Sequence, residues 1–209
     1  MYLFTNQFNA AKSDAISSFI GETGNSKSLY RAARACYGLE EFQECKNFLG
    51  TLLEYHGDDK DARREFKRVK HRLKEQETGS YDFAAMAKSA SEQLWLDHAS
   101  FTKQVAVKPA GNSGRGLFTT EAVKAGSLLL CEKAFSAAFQ DECPNTTYIL
   151  LNANTERITL GTQALLIPGI AQKLQNVLLG PKFWNLYSGT FPRTGKEGSL
   201  VDGTPVIDT

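Results

Sequence analysis

The sequence predicts an α+β chain: an all-helical N-terminal array, then a β-rich unit that carries a helical insertion. Three observations carry this. Aliphatic and small residues recur at helical spacing through the first third, and Phe42 lies 34 residues after Phe8. A segment rich in Lys and Arg follows, up to about Glu77. Near Val105 the pattern changes to short apolar runs separated by Gly, Pro, Asn and Ser. The resulting bounds are 1–77 for the array, 78–100 for a helical linker and 101–209 for the β-rich unit.

Phe8 opens F-N-A-A-K-S-D-A and Phe42 opens F-Q-E-C-K-N-F-L, with Ala11 in step with Cys45. Upstream of Phe42, Leu29, Ala33 and Cys36 fall on one helical face. Downstream, Cys45, Leu49 and Leu52 form the facing stripe. Gly38 is placed in the turn between the two helices and Gly57 at the end of the pair. Helices that cross closely need small residues there, and Ala33 and Cys45 supply them. The pattern resembles the tetratricopeptide repeat, with Gly57 where that repeat usually has a proline. Met1 falls about a third of the way into a repeat, leaving one complete copy and one partial one. A stacked array needs roughly three units. The expectation is truncation.

Asp58-Asp59-Lys60-Asp61 opens the charged helix, its acidic residues at the positive end of the helix dipole. Ala62, Phe66, Val69 and Leu73 make a narrow apolar stripe, surrounded by Arg63, Arg64, Lys67, Arg68, Lys70, Arg72 and Lys74. The expectation is a capping helix, packed on one side and solvated on the other, with a basic docking face as the alternative.

Thr78-Gly79-Ser80 breaks that helix, and Tyr81 to Leu96 is expected to hold one or two short helices. Strands are expected at Val105–Val107, Gly116–Thr120 and Ser127–Glu132. The cluster Pro109-Ala-Gly-Asn-Ser-Gly114 separates the first two, and Lys124-Ala125-Gly126 turns into the third.

The run from Ser113 to Phe135, S-G-R-G-L-F-T-T-E-A-V-K-A-G-S-L-L-L-C-E-K-A-F, is similar to the opening of SET methyltransferase domains. Together with Leu96-Asp97-His98-Ala99 and the repeats upstream, the chain resembles fungal, SMYD-like proteins that join tetratricopeptide repeats to a SET domain. The resemblance implies protein-lysine methylation with S-adenosylmethionine, contacted by Gly114, Arg115, Gly116 and Leu117. Without a Cβ, glycine lets backbone groups approach a ligand and lets the chain take positive φ. A plain hairpin turn is the alternative for Gly114 and Gly116, and the resemblance gives the Arg115 side chain no task. Glu132 and Lys133, as strand neighbours, point to opposite faces and are assigned structural roles.

Leu160, Gln163, Leu166, Ile170, Leu174 and Val177 are close to helical spacing, with Pro168-Gly169 expected to divide the helix and Gly180-Pro181 to stop it. The aromatic run Phe183 to Tyr187 is read first as core packing and second as a substrate wall. In SET proteins a later half carries an Asn-His-x-Cys segment and a Gly-Glu-Glu plus tyrosine region. Here His56, His71 and His98 follow Tyr55, Lys70 and Asp97, and the one Gly-Glu dipeptide is Gly21-Glu22. No catalytic residue is therefore assigned, and no methyl transfer is expected from these 209 residues alone. The zinc-binding MYND module of some relatives is absent as well.

Composition agrees with a globular chain, at 42% hydrophobic and 22% charged residues. A formal net charge of +1 gives no reason to expect nucleic acid or a membrane surface as partner. The basic helix has no interleaved aromatic residue except Phe66, on its apolar stripe. Cys36, Cys45, Cys131 and Cys143 form no C-x-x-C pair, so no metal site is assigned and reduced thiols are expected. The expected setting is intracellular, cytoplasmic or nuclear, with a protein or peptide partner on the repeats. A sheet lacking the strands of a later half is expected to expose its edges and dissolve poorly.

Overall fold

Four helices form where the apolar spacing places them: α1 Phe8–Ser17, α2 Ser26–Gly38, α3 Phe42–Tyr55 and α4 Lys60–Thr78. The computed structural model describes residues 2–3, 7–18, 25–142, 149–153, 156–174, 179–184, 186, 200–201 and 204–205. It divides into two compact units, Met1–Lys133 and Ala134–Thr209, each described by itself.

In the first unit each helix packs on the next, α1 on α2, α2 on α3 and α3 on α4. Leu29, Ala33 and Cys36 of α2 meet Phe42, Cys45, Leu49 and Leu52 of α3, and Ala62, Val69 and Leu73 of α4 complete one buried cluster. The Asn25 side chain caps α2 by accepting from the amides of Lys27 and Ser28, and Asp59 caps α4 by accepting from Ala62. Gly38 is the last residue of α2 rather than a turn residue. The positive φ between α2 and α3 belongs to Glu40, at 61°. Gly38 is needed for a different reason: a Cβ there would stand 2.5 Å from the Phe8 ring of α1.

Gly79 ends α4 in the left-handed region, its amide donating to the Glu75 carbonyl. A Cβ on Gly79 would lie 2.8 Å from the ring of Phe101, which is almost fully buried. One short helix, α5 Phe83–Ala90, occupies the linker, capped by Asp82. Strands β1 Val105–Pro109 and β2 Arg115–Thr119 pair antiparallel, with Val107 opposite Leu117 and Lys108 opposite Gly116.

The third expected strand does not form. Of Ser127–Glu132, Cys131 alone is paired, in an isolated bridge with Phe101. A strand is maintained by a partner along its length, and among the described residues the rest of this segment has none in a sheet. Lys133 takes a structural role, its ammonium 2.7 Å from Glu40.

In the second unit, β3 Ile149–Asn152 and β4 Arg157–Leu160 form an antiparallel hairpin, which the sequence did not suggest. Leu160 thus ends a strand instead of opening a helix. Helix α6, Thr162–Leu174, runs unbroken through Pro168. The ring holds φ in the helical range and removes one N–H, a cost of about 3 kcal/mol that intact flanking turns can carry. Gly180-Pro181 opens the short helix α7, Gly180–Trp184, where the missing proline N–H would have no partner anyway. Phe183 packs at 5.9 Å from Phe135 and edge-on to Trp184 at 5.1 Å, while Asn185, Tyr187 and Val177 lie outside the described residues. A two-residue pair, β5 Leu200–Val201 and β6 Thr204–Pro205, completes the described elements. No helix among the described residues is long and apolar enough to cross a membrane.

Candidate functional site

The glycine-rich segment is the connection of the β1–β2 hairpin. Gly111 to Ser113 make one 3-10 turn, closed by the amide of Ala110 donating to the Gly114 carbonyl at 2.8 Å. Gly114 sits at φ 80° and ψ −110°, a conformation closed to residues with a Cβ. No atom lies within 4 Å of where a Cβ of Gly111 or Gly114 would be, so their backbone faces open space. Gly116 is tighter, with the Phe118 ring 3.0 Å from its absent Cβ. Gly114, Arg115 and Leu117 are exposed and Gly116 is half-buried. The four residues form a continuous, largely exposed rim, with the Gly114 carbonyl and amide bonded to Ala110 and Gly111.

A denser polar constellation lies between α4 and the linker. Asp97 accepts from the Tyr37 hydroxyl at 2.8 Å and from the Arg68 guanidinium at 2.7 Å, with Arg72 at 3.6 Å. The Arg68 guanidinium also stacks 4.2 Å over the Tyr37 ring. Glu75, almost fully buried, accepts from Arg72 and from the backbone N–H of Ala99, and meets His98 Nδ1 at 2.8 Å. The Tyr81 hydroxyl donates to the Ala99 carbonyl. Burial works against the charge of Asp97, but the hydrogen bonds from Arg68 and Tyr37 and the two guanidinium charges outweigh it. Its pKa is held below the usual carboxylate value. Burial first, then the neighbouring carboxylate, pushes the Tyr37 phenol up, so it stays a donor at neutral pH.

This constellation fastens residues 95–99 to the helical array. It corrects the expectation that the basic residues of α4 are solvated: Arg72 is buried and Arg68 is stacked. Sequence reasoning quoted Leu96-Asp97-His98-Ala99 without assigning it a contact. The available signal was a carboxylate beside an imidazole downstream of a helix with surplus arginine.

A third cluster has metal-ligand chemistry on paper. One ligand atom each of Cys36, Glu41 and Glu44 lies within 4.8 Å of the others. The Lys12 ammonium already fills the space between the carboxylates, at 2.6 Å from each, and its pKa is raised by those hydrogen bonds. Burial pushes the Cys36 thiol up to about 12. The cluster is a joint between α1, α2 and α3 in which one ammonium bridges two carboxylates.

A protein of Gibberella zeae named "Methyltransferase" is 40% identical to this chain over 190 residues. The match takes in 88% of the chain and 26% of that protein, so the chain spans about a quarter of that relative's length. No family model matches the sequence. No solved structure matches it.

Proposed function

We propose that this chain is a portion of an S-adenosylmethionine-dependent protein-lysine methyltransferase of the tetratricopeptide-plus-SET kind. Residues 1–77 are the repeat region with its capping helix, 78–100 the linker and 101–209 the first part of the SET domain. The observation that carries the reading is the Gly114 corner, whose φ of 80° and unobstructed backbone suit the edge of a ligand. The named relative supports the reaction class.

The residues present fit one side of the cofactor. Gly111 and Gly114 put no side chain in a ligand's way, so a ligand can approach this corner closely even though the Gly114 amide and carbonyl are bonded within the turn, with Arg115 and Leu117 alongside. When bound, S-adenosylmethionine supplies an electrophilic methyl group on a sulfonium. Methyl transfer gains most from fixing the amine and the sulfonium in line at short distance. This chain's rim binds and orients. Its side chains, Arg115 and Leu117, cannot take the amine proton. These 209 residues are therefore assigned cofactor contact without turnover.

Amide NMR of the chain titrated with S-adenosylmethionine tests this. Weak, millimolar shifts confined to residues 111–117 are expected, with no methyl-lysine formed on added peptide substrates. Unmoved amides at 111–117, or turnover by the isolated chain, would overturn it.

The second reading is a protein-docking role for the helical array, favoured by the unpaired lysines on its α3–α4 face. The two readings are compatible.

A further inference from the structure

The arginines and the lysines of α4 differ in their partners. Arg63, Arg64, Arg68 and Arg72 each have a carboxylate within ion-pair distance, drawn from Asp58, Asp61, Glu65, Glu75 and Asp97. Lys60, Lys67, Lys70 and Lys74, like Lys46 of α3, have no ion-pair partner among the described residues, and Lys70 stands 5.5 Å over the Phe66 ring; what sets Lys46, Lys70 and Lys74 apart is that they converge. These three lysines line a shallow cleft of about 210 Å³ between α3 and α4, with Gln43, Leu73 and Glu77. Lys46 is half-buried there, and Leu73 supplies an apolar floor. A single carboxylate, Glu77, stands at the rim against three ammonium groups.

We infer that this cleft is a docking site for an acidic protein segment, in extended form, that places at least two carboxylates among Lys46, Lys70 and Lys74. The inference rests on the docking role of the array and is independent of methyl transfer. Unpaired like charges held on rigid helices are unfavourable in the free protein, and an incoming carboxylate relieves this. Gln43 offers an amide to a peptide backbone, and the Leu73 floor suits an apolar side chain between the acidic ones. A nucleic acid fits less well. No aromatic side chain lines the cleft for base stacking, and Glu77 opposes a continuous phosphate backbone.

Fluorescence anisotropy with labelled hexaglutamate, hexaglutamine and a short DNA duplex tests the assignment on the full chain. Hexaglutamate is expected to bind and hexaglutamine not to bind. The triple variant K46Q/K70Q/K74Q should lose about tenfold or more in affinity. The control K27Q/K60Q, two exposed lysines outside the cleft, should lose less than about twofold. Circular dichroism verifies that both variants keep their helices. Equal loss in both variants, no hexaglutamate binding at millimolar concentration, or tighter binding of the duplex would each overturn the proposal. None of these outcomes bears on cofactor contact at residues 111–117.

Discussion

Asp97 bears the most at the scale of single residues, since three side chains from α2 and α4 converge on it. Its folded pKa is lowered, so its stabilising contribution is fully present above the ordinary carboxylate value near 3.8. As pH falls through the lowered folded value, that contribution is lost. The sign is that of acid destabilisation. Asp97→Asn leaves Arg68 and Arg72 facing each other without their shared anion. Breaking a buried pair costs about 3–5 kcal/mol, but the Asp97 side chain is 44% exposed, which brings the expectation to about 1–2 kcal/mol at neutral pH. Urea denaturation at neutral pH and at pH about 3 checks this. The variant should be weaker at neutral pH, and the gap should shrink in acid. A gap that persists in acid would mean that packing, not charge, holds residues 95–99.

Elements that rest on local rules were legible, and those that rest on distant partners were not. The stripes Leu29-Ala33-Cys36, Cys45-Leu49-Leu52 and Ala62-Phe66-Val69-Leu73 announce helices because 3.6-residue periodicity needs only neighbours in sequence, and nearly all of these residues are buried. The glycine rim was legible too, since Gly114 takes a conformation reserved for glycine. Arg72 was misplaced because its burial depends on how the chain folds back after α5 to bring Asp97 beside it, while Glu75 lies one turn away on the same helix. The hairpin β3–β4 went unseen because Ile149-Leu150-Leu151 is a continuous apolar run, while helical spacing seemed to begin at Leu160. Ser127–Glu132 has strand composition but no ladder. At this scale Gly79 is the most exposed to test. Gly79→Ala places a Cβ against Phe101 at a φ of 65°, and should destabilise the first unit by roughly 1–3 kcal/mol. Thermal melts of the variant, followed by helical ellipticity, check this. An unchanged Tm would show that Phe101 moves aside freely.

The whole molecule is unevenly consolidated. The first unit buries a contiguous cluster from Leu29 to Ala99. Among the described residues of the second, Ala164 and Leu174 are the buried apolar ones. Its hairpin β3–β4 turns Ile149, Leu151, Ile158 and Leu160 to one face, each more than half exposed. Exposed aliphatic faces of this kind favour association. Calorimetry should accordingly give one cooperative transition sized for the first unit, on the order of 90 kcal/mol, rather than about 150 kcal/mol for all 209 residues. An enthalpy near the larger value would show that both units unfold together.

The thiols inside the α2–α3 joint make the array its own gauge of opening. Burial pushes both Cys36 and Cys45 up to about 12, so at neutral pH they are protonated as well as shielded. An alkylating reagent can reach them only while these helices are parted, whereas Cys131 is partly accessible in the closed form. Labelling rates resolved by cysteine in a mass spectrometer would thus time how often the array breathes, with no probe added to the chain.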